Sequence, residues 1–144
     1  MSFGAAAARG RTLPEDARCP CGGGAFGACC GPILAGATAP TAERLMRSRF
    51  TAFAVGDAAH LRATWHPATA PDRLDLDDEL RWERLDVIGT TGGEPGAARG
   101  TVEFRAHWRS NDGRQAGELH ETSRFRTIAG RWLYVDGDVD PDGA

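Results

Sequence analysis

Four cysteines packed into twelve positions constrain this chain more than any other feature: Cys19-Pro20-Cys21, a seven-residue loop, then Cys29-Cys30. The chain as a whole, at 144 residues, is long enough to bury a core without disulfides. A disulfide framework belongs to an oxidising compartment. Ser2 to Ala8 is small and weakly apolar, and Arg9 and Arg11 follow where a secretory signal would carry its hydrophobic run. No run approaches the ~20 apolar residues of a spanning helix, so no membrane partner is expected and the expected location is cytoplasmic. Thiols stay reduced there, and clustered reduced thiols attract a soft divalent metal. Gly22-Gly23-Gly24 allow a tight turn whose backbone N–H groups can hydrogen-bond thiolates. Cys19, Cys21, Cys29 and Cys30 are therefore the expected metal ligands. Four sulfurs leave no open coordination position, which makes such a site structural. Zinc is the expected metal and iron the alternative, because a tetrahedral sulfur site does not choose between them. A redox-active thiol site is the competing reading, although Cys-x-Cys is not the Cys-x-x-Cys of thioredoxin-like proteins.

The rest of the chain divides by period. Residues 1–18 are rich in Ala, Gly and Arg without periodicity and read as a flexible tail. Residues 19–35 form the metal module, with Gly31 to Pro40 a linker to a main domain over 36–144. Thr41 is a plausible N-cap with Glu43 in the first turn, and Leu45, Met46, Phe50, Ala52 and Phe53 make a helical apolar stripe. Gly56 stops that helix and Asp57 caps a second, ended by Pro67. Later segments alternate. Trp82 to Ile88, Thr101 to Arg109, Glu118 to Ile128 and Trp132 to Val135 read as strands, joined by Gly-rich turns and the hairpin signal Asn111-Asp112-Gly113. Helices followed by an antiparallel meander give an α+β fold with helices on one sheet face.

The cysteine pattern resembles the SEC-C motif, the zinc module also found at the C-terminus of the SecA translocation motor. Leu45-Met46-Arg47-Ser48-Arg49-Phe50-Thr51-Ala52-Phe53, Thr64-Trp65-His66-Pro67, His120-Glu121-Thr122-Ser123-Arg124-Phe125 and Arg131-Trp132-Leu133-Tyr134-Val135-Asp136-Gly137 are similar to the YchJ-like family of bacterial proteins. The resemblance covers Cys19 to Gly137. It implies a SEC-C zinc knuckle preceding a nuclear transport factor 2-like domain, a cystatin-like cone of N-terminal helices on a curved antiparallel sheet. It implies no activity. The loop between Cys21 and Cys29 is shorter than usual for the motif and lacks its lysines, so the acidic partners met by SecA-like modules are not carried over.

Charge and composition narrow the function. All seventeen basic residues are Arg, which excludes Schiff-base chemistry and a phosphate-loop lysine, and a net charge of −3 argues against nucleic-acid binding. Pocket candidates are Arg49, Trp65, Glu121, Ser123, Trp132 and Tyr134. Leu119 and Phe125 anchor one face of their strand and place Glu121 and Ser123 on it. Glu121 is expected either as a buried partner of Arg49 or as a general base with raised pKa. His66 is the other acid–base candidate, with capping of the preceding helix as its plainer role. Of Arg47 and Arg49, two positions apart on a helix, one is expected to face solvent. The leading functional reading is a metal-stabilised adaptor, a protein-interaction module whose cone domain can hold a small ligand. An isomerase or lyase using Glu121 is the alternative, an iron or redox sensor the second. A monomer or homodimer suits each.

Overall fold

The computed structural model describes residues 11–140. Helix α1 is Cys30–Leu34, preceded by a 3-10 turn at Phe26–Ala28; α2 is Ala42–Val55 and α3 is Ala58–Ala63. Four strands follow: β1 Leu80–Gly92, β2 Arg99–Ser110, β3 Ala116–Ile128 and β4 Arg131–Val139. They pair in sequence order as one antiparallel meander. This is the expected α+β architecture, helices packed against one face of a curved sheet. None of the described helices is long and apolar enough to cross a membrane.

The helix signals read from the sequence act as written. The Thr41 hydroxyl accepts from the Arg44 N–H at 3.1 Å, Gly56 closes α2 in the left-handed region at φ 80°, and Asp57 Oδ1 accepts from the His60 N–H at 2.9 Å. In the sheet, Val102, Phe104 and Ala106 of β2 are buried while their alternating neighbours are only partly covered. Register shifts in β1 around Glu83 and Ile88 bring Trp82, Leu85 and Val87 to the inner face, which simple alternation would not do. A third, at Val135 of β4, sets Tyr134 opposite Phe125. These extra residues bend and twist the strands, and the sheet curls around α2. Its outer face is laced with ion pairs such as Arg105–Glu118 at 3.0 Å, His120–Glu103 at 2.7 Å and Arg124–Asp138 at 2.7 Å.

Two boundaries differ from the sequence reading. The supposed tail is tied down from Arg11 onward: the Arg11 N–H donates to the Val55 carbonyl at 2.9 Å, Phe26 N–H to Ala17 at 2.8 Å, and Arg18 bridges to Ala25. Its first part, residues 1–10, lies outside the described residues. The supposed linker begins as helix α1. Neither segment has apolar periodicity, because both are held by backbone hydrogen bonds and by the cysteines rather than by an amphipathic face. The knuckle also shares the core: Cys19, Cys21, Cys29, Cys30 and Ile33 belong to one buried cluster with Leu45, Phe50 and Phe104. Helix α2 is thus covered by sheet on one side and knuckle on another, so even Ser48 and Thr51 are buried.

Candidate functional site

The four cysteine sulfurs lie within 4.8 Å of one another, and all four residues are buried. Cys21 Sγ is 3.4 Å from Cys29 Sγ and 3.6 Å from Cys30 Sγ. A tetrahedral ion with metal–sulfur bonds of about 2.3 Å needs sulfurs roughly 3.8 Å apart, so small adjustments close the shell. The surroundings fit a metal as well. A Cβ on Gly23 would stand 2.8 Å from Cys29 Sγ and 3.3 Å from Cys21 Sγ, so only glycine leaves the sulfurs their space. Thr51 of α2 places its hydroxyl 3.6 Å from Cys19 Sγ. Arg47 Nη1 donates to the Cys21 carbonyl at 3.0 Å and Arg44 Nη2 to the Cys29 carbonyl at 3.3 Å. Two guanidiniums thus stand beside a cluster that would carry net charge −2 around a divalent ion. With protons instead of a cation, hydrogen bonding from Cys21 holds the Cys19 thiol down while burial pushes Cys29 up to about 11. Four thiolates cannot share that space at neutral pH without positive charge between them. The donor set, soft and closed, suggests metal binding.

On the other side of α2, between helix and sheet, lies a cavity of about 140 Å³. Met46, Phe50, Trp82, Phe104 and Leu119 supply apolar wall, and the half-exposed Phe53 stands at it. Arg49 enters from α2 and is 4% exposed. Its Nη1 donates to the Leu61 carbonyl at 2.9 Å and to Thr64 Oγ1 at 2.7 Å, while its guanidinium lies 5.0 Å from the Trp65 ring centre and 4.6 Å from that of Tyr134. Burial lowers its pKa to about 10, so the group remains a cation at neutral pH. Glu121 Oε2 accepts from Ser123 Oγ at 2.6 Å and from the Tyr134 hydroxyl at 3.4 Å. Burial, with the Glu121 charge adding, pushes the Tyr134 phenol up to about 12, which keeps it a donor. A larger concavity of about 760 Å³ lies between α1, α3 and β4, with Arg11, Asp57, His60 and Arg131 in its lining.

A family model described as "YchJ, middle NTF2-like domain" matches residues 41–137. The chain belongs to this family. Its YchJ-like relatives include a UPF0225 protein of Corynebacterium efficiens, 52% identical over 86% of this chain and 95% of that one. Another, from Streptomyces coelicolor, is 49% identical over 83% of this chain and 94% of its own length. Among solved structures, a SEC-C motif containing protein from Rhodopseudomonas palustris superposes with a TM-score of 0.73 at 38% identity, covering 85% of this chain and 98% of that one. A second, from Psychrobacter arcticus, gives 0.70 at 28% identity over 90% and 86%. The SEC-C module joined to a nuclear transport factor 2-like domain is therefore a property of this YchJ-like chain.

Of the residues singled out from the sequence, the structure brings Arg49, Trp65, Glu121, Ser123 and Tyr134 to the cavity. It separates the other two. Trp132 is buried but lines the larger concavity, because the sheet's curl turns the start of β4 toward α1. His66 lies outside the cavity lining, and it does not cap α3 either. Its Nδ1 accepts from the Ala68 N–H at 3.1 Å, and its backbone N–H donates to the Tyr134 carbonyl at 2.7 Å, which ties the loop to β4. The expected Arg49–Glu121 ion pair is absent among the described residues: both groups face one cavity but find other partners. Arg47 does not stand free in solvent; it bonds Glu43 at 2.9 Å and the knuckle. Thr51, Arg44 and Arg47 as supports of the sulfur site were missed, and no local pattern marks them, since their partners lie 15 to 32 positions away.

Proposed function

We propose that this YchJ-like chain is a cytoplasmic, non-catalytic binding module. A structural zinc clamps the knuckle onto α2, the cone cavity on the helix's far side receives a small ligand, and the knuckle's outer surface is left for a protein partner. The observation that carries this reading is that one helix holds both sites. Thr51, Arg44 and Arg47 reach the sulfur cluster, while Met46, Arg49 and Phe50 line the cavity. Burial of all four sulfurs supports a closed structural ion over an iron or redox sensor, whose thiolates need access to oxidant. The position of His66 outside the cavity supports binding over isomerase or lyase chemistry, since no histidine lines the cavity beside Glu121.

The test is elemental analysis of the purified full chain. About one zinc per chain is expected, lost from the Cys29→Ser, Cys30→Ser double variant. A chelator should lower the thermal midpoint of the parent chain. Metal retained by the double variant, or a parent chain without metal, refutes the reading.

A further inference from the structure

Arg49 is buried, yet its hydrogen-bonding capacity is only partly used. A guanidinium carries five N–H donors, and among the described residues Nη1 hydrogen-bonds while Nε and Nη2 do not. A buried cation without a counter-charge in contact is costly, and rings at 4.6 and 5.0 Å recover only part of that cost. A purely structural pair would have closed the gap with Glu121. Instead Glu121 is drawn to Ser123 and the Tyr134 hydroxyl, with Oε1 accepting no hydrogen bond among the described residues, and Arg49 lies over the ring of that same Tyr134. Trp65, another wall of the cavity, has its buried indole N–H unpartnered. The cavity therefore presents unused donors at Arg49, an unused acceptor at Glu121, and apolar, largely aromatic walls between.

We propose that the cavity binds a small hydroxy-substituted aromatic acid, its carboxylate on Arg49, its ring among Phe50, Trp82 and Phe104, and its hydroxyl donating to Glu121. Each part answers one feature. A carboxylate matches the planar fork of Arg49 and neutralises it with a single charge, whereas a dianionic phosphate would face Glu121 with charge to spare. A hydroxyl satisfies Glu121, which repels any anion lacking a donor. The volume, about 140 Å³, admits roughly one ring with its substituents, since an apolar cavity of about 150 Å³ takes up benzene. Drug-sized ligands need about twice that space or more. This inference rests on the binding reading above and goes beyond it in naming the ligand's chemistry.

The experiment uses the full metal-loaded chain with 3-hydroxybenzoate and 4-hydroxybenzoate as probes, and benzoate and phenol as controls. Binding is followed by calorimetry and by the indole resonances of Trp65 and Trp82. At least one hydroxybenzoate should bind about tenfold or more tightly than both controls, a difference that removing one buried hydrogen-bonding partner readily produces. Arg49→Met should abolish binding, and Arg49→Lys, which keeps the charge but loses the fork, should weaken it about tenfold. If Arg49→Met fails to fold, the lysine variant decides. Neither probe binding at about 10 mM, benzoate binding as well as the hydroxy acids, or Arg49→Lys binding unchanged would each overturn the proposal. Metal content measured on the same samples separates this outcome from failure of the zinc reading: a chain with full metal and an intact thermal transition that ignores the probes contradicts the ligand alone.

Discussion

His60 gives this protein a pH dependence whose sign and size follow from its burial. The residue is 8% exposed on α3, with Nε2 2.9 Å from Ser48 Oγ. Desolvation, with the Arg49 charge adding, lowers its pKa from 6.5 to about 4. Above pH 6.5 the imidazole is neutral in both folded and unfolded chains and costs nothing. As pH falls below 6.5 the unfolded chain takes up a proton that the folded one refuses until about pH 4, so stability falls through that window. A shift of 2.5 units at about 1.4 kcal/mol each amounts to about 3 kcal/mol over the whole window, and to about 2 kcal/mol between pH 7 and pH 5. The perturbation is His60→Gln, which offers an amide to Ser48 and does not titrate. Urea unfolding of both chains at pH 7 and pH 5, each with metal bound, yields the difference between their pH responses, from which the pH dependence common to both cancels. The parent chain should lose about 2 kcal/mol more than the variant on going to pH 5. Equal losses, or an imidazole that titrates near pH 6.5 by NMR, would show that the site is wetter than its packing indicates and refute the argument.

Gly23→Ala should weaken metal retention about tenfold in competition with a chelator, because its Cβ would stand 2.8 Å from Cys29 Sγ; unchanged competition would mean that the loop moves freely around the ion. Removal of residues 1–35 should abolish cooperative unfolding of the remainder, since it uncovers Leu45 and strips Thr51 and Arg47 of their partners. A sharp calorimetric transition in the truncated chain would show the knuckle to be an appendage after all.

The sequence by itself determined what short-range physics can fix. Cysteine spacing needs only a turn to gather sulfurs, so the cluster of Cys19, Cys21, Cys29 and Cys30 was legible before any fold. Thr41, Gly56 and Asp57 bound their helices because caps act on backbone groups three or four residues away. Alternation along Val102, Phe104 and Ala106 set a buried face for the same local reason.

Only the tertiary structure decided which element met which. Arg47 and Arg49 sit two apart on one helix, yet one reaches the knuckle and the other the cavity, because α2 is covered on two sides. The backbone is also decisive where local rules cannot see it. Register shifts in β1 and β4 re-aim side chains, and the sheet's curl sends Tyr134 to the cavity and Trp132 to the opposite concavity. Arg49 and Glu121 share a face-to-face placement that their residue types suggested, but the choice of partners depended on ångström-scale distances across three elements. Those distances come from twist and packing summed over the whole core, which no window of neighbouring residues encodes.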